Sequence, residues 1–219
     1  MLESLLLTLR LALLASLTLL LLAGPLAWLL AWREFRGRGL LETVLLLPLV
    51  LPPTVLGFYL LLLLGKNGPL SHWFGLTLAF TFTGILIGSV VFNLPTAISN
   101  YREAFRSIDP DLIATARTLG AGRARVLREV ILPLAAPGLF SGTLLVFAQV
   151  LGEFGVVLMI GGSIPGQTQV LSIYIYQLTE ALQLREANQA ALLMLGLAFG
   201  LLYSIRRLEA RWKSRRGVN

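Results

Sequence analysis

The chain has 219 residues, of which 56% are hydrophobic and only 13% charged, with a mean hydropathy of +0.80. A soluble domain carries about 25% charged residues, so much of this apolar surface must face something other than water. The net charge of +7 would suit nucleic acid or a membrane surface, and the absence of cysteine together with a lone histidine, His72, excludes disulfides and thiolate or histidine metal sites.

A helix crossing the bilayer core takes about 20 apolar residues. Taken in order, residues 9–32, 43–64, 78–99, 134–160 and 187–205 meet that requirement. The expected fold class is an all-α integral membrane protein of about five transmembrane helices, one membrane domain over residues 1–219, with a cytoplasmic loop at 100–133. The first stretch is too long for a signal h-region and is followed by Arg33, Arg36 and Arg38, so it is expected to stay.

Basic residues near the ends of spans stay in the cytoplasm. Alternate connections carry Arg33, Arg36 and Arg38, then Arg102, Arg106, Arg117, Arg123, Arg125 and Arg128, then Arg206, Arg207, Arg211, Lys213, Arg215 and Arg216. The other side receives Arg10, Lys66 and Arg185. The basic charge is therefore a topology signal and not a nucleic-acid footprint. The N-terminus is expected outside, with the C-terminus and the 100–133 loop inside.

The second span contains Pro48, Pro52 and Pro53. Each lacks an amide hydrogen, and the freed carbonyls need partners within the protein or a watery cavity. A gate element and a packing kink both satisfy that need. Gly84/Gly88, Gly138/Gly142 and Gly196/Gly200 are pairs four residues apart, which suits close helix packing.

The loop after the third span reads as a capped short helix. Asp109 suits the N-cap, Pro110 the first position, Asp111 the positive helix start and Gly120 the C-terminal stop. Leu112, Ile113, Ala116 and Leu119 form one apolar face beside Arg117 and Thr118. A second helical segment is expected from Arg123 to Leu132, with Pro133 starting the next span. Partner docking, a membrane-surface helix and a solvated basic loop all fit this pattern.

In the fourth span Glu153 interrupts an apolar run, within Leu151-Gly152-Glu153-Phe154-Gly155. A carboxylate at that depth costs about 2.5–3.5 kcal/mol and needs a partner. An unpaired anion would repel an anionic substrate, so a structural latch, bonded to backbone amides or an arginine, is favoured over a substrate contact. Pro52, Pro53, Thr54, Asn93, Gln149, Gly152, Glu153 and Gly155 are the candidate pathway or gate residues.

The loop resembles that of permease subunits of binding-protein-dependent ABC importers, whose pattern is Glu-Ala-Ala, three residues, Gly, nine residues, Ile, one residue, Leu-Pro. Gly120, Ala116 and Leu132-Pro133 match it, and Ala114-Thr115-Ala116 stands at Glu-Ala-Ala, so the glutamate is replaced by Ala114. Segments 47–55, 116–122, 151–155 and 164–168 look like molybdate permeases, with Gln169 where that family often has arginine. The resemblance implies a MetI-like permease fold and import of molybdate or tungstate, with sulfate or thiosulfate as the alternative. It implies a homodimer, two cytoplasmic ATPase subunits that hold ATP and magnesium, and an extracytoplasmic oxyanion-binding protein. This chain has no Walker-type loop, so no cofactor is expected on it and no catalytic role. The resemblance assigns ATPase coupling to Asp109, Leu112, Ile113, Ala114, Thr115, Ala116, Arg117, Leu119, Gly120, Leu132 and Pro133. A channel or proton-coupled carrier is the rival class, but no internal repeat is visible and Glu153 is the clear intramembrane ionisable group. A membrane enzyme would need a nucleophile–base or metal constellation, and none is evident.

Overall fold

The computed structural model describes residues 1–215, with side-chain surroundings through Arg207. Arg211, Lys213, Arg215 and Arg216 of the topology argument fall outside that side-chain description. The helices run α1 (Leu2–Trp32), α2 (Arg38–Val50), α3 (Pro53–Leu64), α4 (Pro69–Phe74), α5 (Phe82–Arg106), α6 (Pro110–Thr118), α7 (Arg123–Val126), α8 (Leu132–Leu151), α9 (Gly155–Gly161), α10 (Leu171–Glu180) and α11 (Leu184–Arg215). Among the described residues four helices are long and apolar enough to cross a membrane, and the bent α2–α4 pair makes a fifth candidate. The protein is a multi-pass, all-helical membrane protein.

α1 is the central post. Leu11, Ala15, Leu19, Ala23 and Ala27 recur every four residues on its buried side, while Leu13, Leu17 and Leu21 face outward. Lipid tails are as apolar as leucine, so close backbone approach and interhelical hydrogen bonds hold such helices together. The alanines let α1 lie against α5 and α8. Between α5 and α8, a Cβ on Gly138 would come 2.6 Å from Ala104 Cβ, and one on Gly142 would come 3.0 Å from Asn100 Cβ. The fully buried Tyr101 shares a 3.0 Å hydrogen bond with Thr143 across the same seam. The Gly84/Gly88 pair packs likewise, Gly88 against Val156 of α9. Gly196 and Gly200 do not follow the expectation: among the described residues no atom would lie within 4 Å of a Cβ on either, because α11 presents them away from the bundle of this one chain.

Three other boundaries differ from the expected spans. The second span is not one kinked helix. α2 ends at Val50, and the Pro53–Phe74 helices continue at 110° to it, because Pro52 and Pro53 cannot supply the amide bonds that would carry the helix on. The fourth span does not run to residue 160 either. α8 stops at Leu151, Gly152 and Glu153 turn back onto Gln149 and Val150 carbonyls, and α9 starts at Gly155. Finally, Pro133 stands at the start of α8 as expected, but no break separates that helix from the segment before it. Arg123 to Leu151 is one continuous helix, with a π-helical turn at Leu127–Ile131 in which the Leu132 N–H reaches back to the Leu127 carbonyl. That wider turn makes room for the proline ring where an α-turn would clash.

At the other end of the fold, the loop between α9 and α10 is a tied knot. Thr168 is fully buried, donates to the Gly161 carbonyl at 2.7 Å and accepts the Ile164 N–H at 3.1 Å. Thr8 of α1 accepts the Leu171 N–H at 2.8 Å, which fixes α10 to the start of the post.

Candidate functional sites: the hook, the break and the brace between them

The hook is α6 and the turn that follows it. Asp109 Oδ1 accepts the Asp111 N–H at 2.9 Å, and Pro110 occupies the first helical position. The helix ends with the Ala121 N–H on the Ala116 carbonyl and Gly120 at φ +84, a left-handed conformation that glycine adopts without strain. The expected single apolar face is split. Ile113 is 7% exposed and packs into the main core with Ala116 beside it, whereas Leu112 is 50% and Leu119 82% exposed. Thr115 lies exposed with them. Positions 112, 115 and 119 therefore form an outward stripe, and position 113 anchors it. Ala114, Arg117 and Gly120 are exposed around the stripe, and Leu132 and Pro133 stand on the exposed side of α8.

The break lies at the far end of α8, about 30 Å away by helix rise. Leu49, Pro53, Phe92, Asn93, Thr96, Ala148, Gln149, Gly152, Glu153, Phe154 and Gly155 line a cavity of about 520 Å³ there. Of the residues expected on the pathway, Pro53, Asn93, Gln149, Gly152, Glu153 and Gly155 meet at this cavity. Pro52 and Thr54 are exposed on the bend beside it. Gly155 is required by contact, since a Cβ on it would come 2.9 Å from Pro53 Cβ.

Glu153 is 6% exposed. Its Oε2 accepts from Asn93 Nδ2 at 3.0 Å, and its backbone carbonyl accepts from Ser172 Oγ at 2.6 Å. The carboxyl partner is thus a neutral amide on α5, neither an arginine nor a backbone N–H as expected from sequence. The reason is positional: the break turns the carboxyl toward α5, and no described arginine packs there. Asn93 spends its other amide bond on the Ser89 carbonyl at 2.8 Å, so it offers the cavity a carbonyl oxygen and no N–H. Glu153 Oε1 and the neighbouring Ser89 hydroxyl are buried without a formed hydrogen bond. Gln149 and Thr96 remain as the side-chain donors on the cavity wall. Thr96, Ser89 and Ser172 carried no sequence signal, because single hydroxyls are common in apolar helices.

A third feature had no signal beyond a charge at a span's edge. Glu42, at the start of α2, accepts from Arg38 at 2.9 Å and pairs with Arg102 of α5 at 3.3 Å. Arg38 also donates to the Leu30 and Arg33 carbonyls at the end of α1, where a cation suits the helix dipole. Glu42 therefore ties the broken span to the helix that leads into the hook. Glu42→Arg is expected to lower the stability of the purified protein by about 1 kcal/mol, as suits a partly exposed pair, and adding Arg102→Glu should restore most of it in a thermal melt.

The family model for the binding-protein-dependent transport system inner membrane component matches residues 7–216. The chain belongs to that family. The permease is 43% identical over 211 residues to the molybdenum transport system permease protein ModB of Azotobacter vinelandii, covering 93% of each chain. It is 32% identical over 192 residues to the sulfate transport system permease protein CysT of Salmonella typhimurium, covering 86% of this chain and 69% of that one. Among solved structures, a bacterial alginate ABC transporter in complex with a pentasaccharide-bound periplasmic protein matches with a TM-score of 0.75 at 20% identity, covering 100% of this chain and 79% of that chain. At that identity the likeness speaks for the fold alone.

Proposed function

We propose that this permease is the membrane-spanning subunit of an ATP-driven importer of molybdate or tungstate. The transport class rests on family membership, and the anion rests on the 43% identity to the molybdenum permease across 93% of the chain. Sulfate is the second reading, supported by the more distant CysT relative. Two copies of the chain enclose the pathway, each carries an ATPase subunit that binds ATP and magnesium, and an external binding protein delivers the anion. The chain itself catalyses no reaction. The hook and the C-terminus lie in the cytoplasm and the N-terminus outside, a reading supported by the arginine asymmetry.

The observation that carries the mechanism is the exposed Leu112–Thr115–Leu119 stripe on a helix anchored from behind by Ile113. A stripe of that kind seats in a partner's groove. Closure of the ATPase pair on ATP moves both hooks as rigid bodies, and the continuous Arg123–Leu151 helix carries that motion to the break. Gln149 and Thr96 then meet the anion with neutral donors. Glu153, held by Asn93, keeps the break in shape and stays out of the anion's path.

The test is reconstitution of the permease with its ATPase and binding protein in vesicles. Molybdate uptake is expected to need both partners and ATP, with tungstate competing and sulfate failing to compete at equal concentration. Uptake that persists without nucleotide hydrolysis would return the chain to the carrier or channel class, and sulfate uptake in place of molybdate would reverse the choice of anion.

A further inference from the structure

A second cavity, of about 850 Å³, opens between the end of α1 and the hook. Its wall carries Arg33, Arg117 and Arg123, its α1 side is Trp28 and Trp32, and its floor is apolar, with Ile113 and Val126 among the floor residues. Among the described residues no acidic side chain lines it. Among the described residues Arg38, Arg102 and Arg125 pair with carboxylates, but Arg33, Arg117 and Arg123 do not. The indole Nε1 atoms of both tryptophans are buried without an acceptor. Three exposed arginines without a carboxylate partner among the described residues thus gather around one apolar-floored cavity, a combination that attracts an anionic group carrying an apolar tail.

We propose that this cavity binds a phosphate-type anionic group, supplied by an anionic phospholipid. Guanidinium forks match tetrahedral oxyanions in geometry and charge. The apolar floor suits the start of an acyl chain and gives nothing to a free inorganic anion. Tryptophans at the end of a spanning helix sit at headgroup depth, and basic pockets between membrane helices take phospholipid headgroups. A lipid bound there would bridge α1 to the α6–α7 hook and stiffen its base. The site is separate from the break, so it does not depend on which anion is transported.

The experiment is native mass spectrometry of the purified permease–ATPase complex titrated with phosphatidylglycerol, phosphatidylcholine or inorganic phosphate. The wild-type complex is expected to bind phosphatidylglycerol at one saturable site per permease subunit, to prefer it to phosphatidylcholine, and to keep it when phosphate is added. Arg33→Gln with Arg123→Gln should weaken that binding roughly 30-fold, at about fivefold per arginine. The same spectra report whether the variant still assembles. Equal phosphatidylglycerol binding by wild type and variant, or no preference over phosphatidylcholine, would overturn the site. Displacement by inorganic phosphate would overturn the lipid as its source.

Discussion

Leu112→Asp is expected to abolish ATP-driven uptake while the permease still inserts and folds. The side chain is half exposed on the hook and leaves the internal core untouched, so an aspartate there meets water in the isolated chain. In a partner's groove the same aspartate loses an apolar anchor and buries a charge. Central interface anchors are worth about 2–4 kcal/mol, which corresponds to roughly 100-fold weaker ATPase recruitment. Co-purification of the ATPase with the variant measures it directly. Ile113→Asp separates the two faces of the same helix. Ile113 is packed in the main core, so that variant should lose folded protein, with a penalty of about 3 kcal/mol or more. Gly120→Pro acts through the backbone. Proline holds φ near −65°, whereas Gly120 sits at +84 and donates its N–H to the Arg117 carbonyl. The hook should then be misaimed, with uptake lost and the membrane helices retained.

The second large effect is expected at the break. Glu153→Ala leaves the Asn93 amide buried against an apolar gap, and Asn93→Leu leaves the carboxyl without its donor. Each should lower stability by about 1–3 kcal/mol, the cost of leaving a buried polar group unsatisfied, and each should reduce uptake to background. The double variant should cost little more than either single change, since residues in contact do not act additively. Thermal stability of the purified complex, read beside uptake, distinguishes a latch from a substrate contact. A latch loses both together. A pure substrate contact would lose uptake with the melting temperature unchanged, and the singles would then be additive in stability.

The hook was legible from sequence because its signals are local: Asp109, Pro110 and Gly120 act within one or two turns. The direction of its apolar side chains was not legible. Positions 112, 113, 116 and 119 cover about 120° of a helical wheel, one continuous stripe by pattern. Only tertiary packing reveals that Ile113 belongs to the core and Leu119 to the outside. The prolines marked the bend after Val50, but their number could not distinguish a kink from a turn of 110°. The stop at Leu151 was harder to read, since the residues there form an apolar run with two glycines and no proline. Glu153 was recognised as needing a partner, and the partner lay 60 residues away on another helix, beyond any local pattern. Gly196 and Gly200 show the reverse case, a spacing that suits close packing with no described atom within 4 Å of a Cβ at either position.

The central claim is that energy enters through the outward stripe of α6, and the chain is suited to a direct test because it contains no cysteine. Leu119→Cys, labelled with a short photoactivatable crosslinker in the assembled transporter, should give one dominant product, between the permease and the ATPase subunit, with a yield that changes on adding ATP. A product with lipid alone, or a pattern in which Leu119→Cys captures no nucleotide-hydrolysing subunit under any nucleotide condition, would contradict it.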